Sequence, residues 1–376
     1  MILSDKYSKR DANFELLRII SMFMVLVLHF LSNCGFLSLD SGNIIIDNIP
    51  WIFEGICYVA VDCFVMLTGY FMYKSKFKLS KILTLVIQGL FYSVVTYLIE
   101  IIIFKSPVDL RELLIAFTPV ISGKYWFISN YIVLLLISPF LNILIEKMNK
   151  KYHLILCSVL LFVFSFLSTV FNYSPALKFE KSYDIVWFIV LYFVSSFIGK
   201  YGINISKSKS IVFYLISTLC IPASKIFVEI TGRFSPIKAV YVLFFGGDSK
   251  ISYNYSSIFV FLSAVFLIII FKDIKIENIN IKKIINFTGS LVLTCYLLPD
   301  KRLWNFVNPN NYTDSTLKII GLSVMSVIGV FIFCCVIELI RKNIFDFIYK
   351  KIGFENICNK IQNRLSEKFN KLSEKI

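Results

Sequence analysis

The sequence predicts an all-α fold: a polytopic membrane bundle of about ten transmembrane helices, followed by a C-terminal amphipathic cytoplasmic helix. Composition is the first ground. Of 376 residues, 57% are hydrophobic and 17% charged, and mean hydropathy is +0.75, whereas soluble domains carry about a quarter charged residues. Block length is the second: the apolar residues come in runs of about 20, enough to cross a hydrocarbon core roughly 30 Å thick. The third is the sorting of Lys and Arg into alternate loops.

The candidate spans are residues 14–34, 52–73, 82–104, 126–145, 153–172, 184–200, 211–230, 255–272, 284–300 and 317–340. The first has no small-residue cleavage site after it and is interrupted by Arg18, so it reads as a retained span and not a signal peptide. With the N-terminus in the cytoplasm, inside segments hold Lys6, Lys9 and Arg10, then Lys74, Lys76, Lys78 and Lys81, then Lys147, Lys150 and Lys151, with further Lys and Arg in later inside loops and the tail. The first outside loop, Cys34 to Pro50, holds none. The expected location is the cell membrane, multi-pass, with both termini cytoplasmic. No internal repeat or linker divides the chain, so residues 1–340 read as one membrane domain and 341–376 as a basic tail. In the tail, Ile357, Ile361, Leu365, Phe369, Leu372 and Ile376 recur at helical spacing between charges. Such a helix lies on the inner leaflet, or packs on cytoplasmic loops or on a second copy.

The net charge of +15 sits in short loops and the tail, where it faces anionic lipid; a nucleic-acid partner is not expected. Cys57, Cys63, Cys157, Cys220, Cys295, Cys334 and Cys335 are scattered inside spans without ligand spacing, and read as small apolar filler with no metal.

Chemistry is confined to a few polar side chains in apolar runs. Arg18 and His29 lie eleven positions apart in the first span. At about 100° and 1.5 Å per residue they point within roughly 20° of each other, about 16 Å apart along the axis. His29 is either a packing residue or a general base, since imidazole titrates near neutral pH. Arg18 either pairs with Glu15 on the same face and snorkels, or holds an anion together with Lys78 and Lys81. Asp62, in the second span, either orients His29 or bonds hydroxyls on another helix. Tyr125 and Trp126 begin the fourth span as an interface belt or as a surface on which a sugar stacks. His153, beside Lys150 and Lys151, reads as a solvated edge residue.

With these residues in place, the chain resembles the acyltransferase-3 family of integral membrane acyltransferases. Arg18 and His29 are similar to its Arg-x10-His signature. The stretch from Val61 through Asp62, Phe64, Thr68 and Gly69 to Tyr70 is similar to its second-span motif, with Thr68 in place of Ser. Trp126-Phe127, followed by Tyr131 and Pro139, is similar to its Trp-Phe…Pro span. The resemblance covers about residues 10–340. Two departures stand out: Lys78 and Lys81 occupy an Arg-x-x-Arg pair, and Pro299 follows Tyr296-Leu297-Leu298 where many relatives carry His.

The resemblance implies transfer of an acetyl or similar short acyl group from acyl-CoA to a hydroxyl of a cell-surface polysaccharide or its lipid-linked precursor. For that activity the residues allow Arg18, Lys78 and Lys81 to hold the phosphates of acetyl-CoA and His29 to deprotonate the acceptor hydroxyl or first take the acyl group itself, with Asp62 able to orient it and Tyr125 and Trp126 able to stack a sugar of the acceptor. Relatives acting on peptidoglycan commonly carry a fused extracytoplasmic domain. With a tail of only about 36 residues, transfer is expected to finish within the membrane or to continue on a separate glycan-assembly protein. The competing class is a transporter or flippase for a polar lipid or glycan precursor, to which intramembrane charge is equally suited.

Overall fold

The computed structural model describes residues 10–170, 183–231, 249–250, 252–299, 304 and 316–373, with backbone alone at 316–320, 322 and 368–373. Lys6, Lys9 and Ile376 fall outside the described residues, as do the side chains of Phe369 and Leu372.

The first half of the bundle contains α1 (Ala12–Asn33), α2 (Ile44–Cys57), α3 (Ala60–Met72), α4 (Leu79–Ile102), α5 (Leu110–Phe117), α6 (Trp126–Lys147) and α7 (Lys150–Val170). The second half contains α8 (Ile185–Tyr201), α9 (Lys207–Thr231), α10 (Ile258–Lys272), α11 (Ile279–Gly289), α12 (Thr294–Leu297) and α13 (Thr316–Ile352), followed by α14 (Phe354–Ser373). No strand occurs among the described residues. Among the described residues, seven helical segments are long and apolar enough to cross a membrane, the joined α2–α3 among them; α8 and α10 are shorter apolar helices. Helix starts follow local chemistry. The side chains of Asn43, Asp109, Asn149, Asp184 and Asn278 each accept a first-turn N–H, which is worth about 1 kcal/mol per cap.

Three expected boundaries move. The second span begins earlier, because α2 starts at Ile44 inside what reads as a loop, and a break at Tyr58 and Val59 separates it from α3. The ninth span is broken: α11 ends at Gly289, turns follow, and α12 stops ahead of Pro299, whose ring has no N–H to donate to a further helical turn. The domain boundary at 340 falls inside α13, which runs on to Ile352 and turns at Gly353 with φ +63°.

Around α1 pack α2, α3, α10, α11, α12 and α13, and the most extensive interhelical contact is α3 on α8. Gly69 permits that approach: a Cβ there would lie 2.7 Å from the Tyr192 carbonyl oxygen. Large apolar side chains on α6, α7, α9 and α13 face outward, as a lipid-facing rim requires. The joined α2–α3 segment is the most buried span. The tail helix docks on the start of α4, where the Gln362 side chain accepts the Leu79 N–H at 3.0 Å and donates to the Phe77 carbonyl at 3.1 Å. Cys358 is buried, while Ile357, Ile361 and Leu365 remain exposed. The tail therefore packs on the loop before α4 and leaves its apolar stripe outward.

Candidate active site

The site is built along α1. At its N-terminal end, Arg18 Nη1 donates to Glu15 Oε1 at 2.6 Å, and Arg10 Nη1 reaches the same oxygen at 3.4 Å. Glu15 is buried, and its second oxygen lies so close to α11 that a Cβ at Gly289 would meet it at 2.4 Å. Arg18 and Arg10 open into a cavity of about 590 Å³, whose polar end also holds Ser80, Lys81 and Thr84. Lys78, Arg10 and Arg18 all lie close enough to Lys81 to repel its charge. Lys78 itself is the N-cap residue of α4 and is outside the cavity lining. Arg10, Arg18 and Lys81 thus line one end of the cavity, with Glu15 paired to both arginines.

The cavity's apolar end holds Met22, Phe64, Phe127 and Leu293, and these four also line a smaller cavity of about 70 Å³ around His29, with Trp126, Tyr255 and Tyr296. His29, Trp126 and Tyr296 in turn line a third cavity of about 250 Å³, with Lys124, Tyr125, Leu298 and Pro299. Three cavities thus follow one another along α1, and His29 stands where the second and third meet. Among the described residues His29 makes no hydrogen bond; its ring centre lies 6.0 Å from that of Tyr296. Both ring nitrogens are left for a ligand.

Asp62 is turned away from this row. It is fully buried, its Oδ1 accepts the Trp187 indole N–H at 3.1 Å, and its Oδ2 has no partner among the described residues. The relay reading of Asp62 is therefore corrected. On α3, Val61 and Phe64 face the His29 cavity, and Asp62, one residue or about 100° on from Val61, faces α8. His153 is also corrected: it is fully buried, its Nε2 lies 3.0 Å from the Phe193 carbonyl, and Phe193, Phe197 and Tyr201 surround it. Tyr125 and Trp126 face the cavities: Tyr125 donates to the Leu297 carbonyl at 2.9 Å, and Trp126 stacks on Tyr255 at 5.7 Å.

A family model described as an acyltransferase domain, Acyl_transf_3, matches residues 11–337. The chain belongs to the acyltransferase-3 family. It is a multi-pass membrane acyltransferase. No curated protein and no solved structure matches it.

Several residues of this acyltransferase escape sequence reasoning. Arg10 reads as a topology charge, yet lines the large cavity. Thr68 and Tyr131 share a hydrogen bond of 2.9 Å in the same wall. Behind the wall, Glu338 on α13 accepts from Arg341 twice at 2.7 Å, from Tyr92 at 2.7 Å, from Thr294 at 2.9 Å and from Gln88 at 3.1 Å. This buried cluster ties α13 to α4 and to the first residue of α12, the short helix that carries Tyr296. A carboxylate and a guanidinium three positions apart in an apolar run are the signal that would have found it.

Proposed function

We propose that this acyltransferase moves an acetyl or similarly short acyl group from acyl-CoA to a hydroxyl of a cell-surface polysaccharide or its lipid-linked precursor. The observation that carries the reading is the row of cavities with shared walls, cationic at the Arg18 end and bordered by His29 in the middle. Arg18, Arg10 and Lys81 bind the phosphates at the cytoplasmic mouth, with Lys78 adding to the field. The pantetheine arm runs past Met22, Phe64 and Phe127, and the thioester stops beside His29. The acceptor enters from the opposite side between Tyr125, Trp126 and Pro299.

At the junction a His29 ring nitrogen takes the acceptor hydroxyl proton as the oxygen attacks the thioester carbon. The carbon–sulfur bond then breaks, and the same nitrogen returns the proton to the departing thiolate. The size of the His29 cavity supports a short acyl group: about 70 Å³ holds on the order of five water-sized groups at roughly 10–15 Å³ each. Gln362 of the tail and Arg10, the first described residue, both lie at the start of α4, which is the side this reading assigns to the cytoplasm.

The test uses full-length protein in lipid nanodiscs, radiolabelled acetyl-CoA and lipid-linked glycan from the producing cells. Label is expected in the glycan with wild-type protein and not with His29→Ala. Transport of the glycan without labelling by the wild-type protein would replace the acyl-CoA-to-glycan reading with the transporter one.

A further inference from the structure

Tyr296 has no role in the steps above, yet it stands beside them. It belongs to α12 and lines both the His29 cavity and the cavity beyond. Its ring centre is 6.0 Å from that of His29 and 5.9 Å from that of Phe127. The hydroxyl oxygen accepts the Phe127 backbone N–H at 3.2 Å. Phe127 is the second residue of α6, so this N–H is one of the donors that a helix start leaves without an internal partner. The bond fixes the phenol oxygen at the positive end of a helix dipole. A phenol can accept there and still donate its own proton, and no described residue accepts that proton. Accepting one hydrogen bond strengthens the donor at the other side of the same oxygen.

We propose that the Tyr296 hydroxyl is the oxyanion donor of acyl transfer, holding the thioester carbonyl oxygen while His29 handles the acceptor proton. The assignment rests on the acyl-CoA reading. As the acceptor oxygen bonds to the carbonyl carbon, its proton passes to His29 and the carbonyl π electrons move onto the oxygen held by Tyr296. When the carbonyl re-forms, the carbon–sulfur bond breaks and the thiolate takes the proton from His29. A preorganised donor aimed at developing charge acts in the transition state more than in the ground state. Two different groups thus serve the base and electrophile roles.

The experiment compares wild-type protein and Tyr296→Phe in nanodiscs. The variant keeps the ring and loses only the hydroxyl. Its kcat is expected to fall about 100-fold or more, with KM for acetyl-CoA within about twofold and a thermal midpoint lowered only by the loss of the Phe127 N–H bond. A purely structural role would lower stability or raise KM and leave kcat in place. The second readout is spectroscopic and needs no turnover: acetonyl-CoA, a ketone analogue labelled with ¹³C at the carbonyl. Its carbonyl stretch is expected to shift to lower wavenumber in wild-type protein and to return toward its free value in Tyr296→Phe. If the phenylalanine variant does not fold, 3-fluorotyrosine at position 296 takes its place, and its stronger donor moves the band further down. Full kcat in the variant, or a band indifferent to position 296, overturns the Tyr296 assignment alone. Failure of wild-type protein both to bind acetonyl-CoA and to transfer acetyl overturns the acyl-CoA reading with it.

Discussion

Arg18 and His29, on one helix, open into adjoining cavities that share the side chains of Met22, Phe64, Phe127 and Leu293. A shared apolar wall lies between a cationic chamber and an imidazole. This arrangement suits a ligand with a polyanionic end and a reactive end joined by a thin arm.

Removing the cationic anchor should weaken the donor and leave the chemistry intact. Arg18→Ala is expected to raise Kd for CoA about 10- to 100-fold, the worth of a charge-assisted hydrogen bond of about 1.5–3 kcal/mol. Arg18→Lys is expected to recover part of it, because an ammonium keeps the charge and loses the planar fork. Isothermal titration with CoA in detergent checks both.

Cavity volume should set the acyl length. Acetyl-CoA is expected to outrun hexanoyl-CoA with wild-type protein, and Phe64→Ala, which widens the wall that both cavities share, is expected to narrow that preference. A competition assay with the two donors reads the ratio directly. Equal preference in wild-type and variant would show that Phe64 does not gate the acyl group.

The Glu338–Arg341 pair should matter for stability far more than its position near the end of the matched residues implies. Both side chains are almost fully buried. Glu338→Ala leaves a buried guanidinium without its partner and is expected to cost about 3–5 kcal/mol. Replacing both by Leu and Met is expected to restore only part of the loss, since it removes the bare guanidinium but leaves Tyr92, Thr294 and Gln88 without their acceptor. Thermal unfolding of the purified variants measures the difference.

Docking of the tail should depend on one amide. Gln362→Ala removes two hydrogen bonds at the start of α4, and at about 1 kcal/mol net for each the tail helix is expected to exchange amide hydrogens faster while α4 beyond its first turn does not. Hydrogen exchange by mass spectrometry reads the two segments separately.

Much of the bundle was legible because apolar block length is a one-dimensional signal. Arg18 and His29 were legible because eleven positions on a helix return nearly to the same face. What needed the third dimension was direction. His153 reads as solvated from its lysine neighbours, but its own face of α7 turns toward α8. Asp62 shares a turn with cavity residues and still points elsewhere. Arg10 counts as one more positive charge in a loop until folding brings it beside Arg18 and Lys81. Pro299 marks an end to the ninth span, but the earlier break between Gly289 and Thr294 is flanked by Glu15 against Gly289 and Glu338 on Thr294, neighbours from other helices that the local sequence does not display.

The most direct measurement is a cryo-electron microscopy structure of the full chain in nanodiscs with acetonyl-CoA. The phosphates are expected between Arg18, Arg10 and Lys81, the pantetheine arm past Met22 and Phe127, and the ketone beside His29. Phosphates bound away from Arg18, or an arm that takes any path other than past this shared wall, would contradict the acyl-CoA reading.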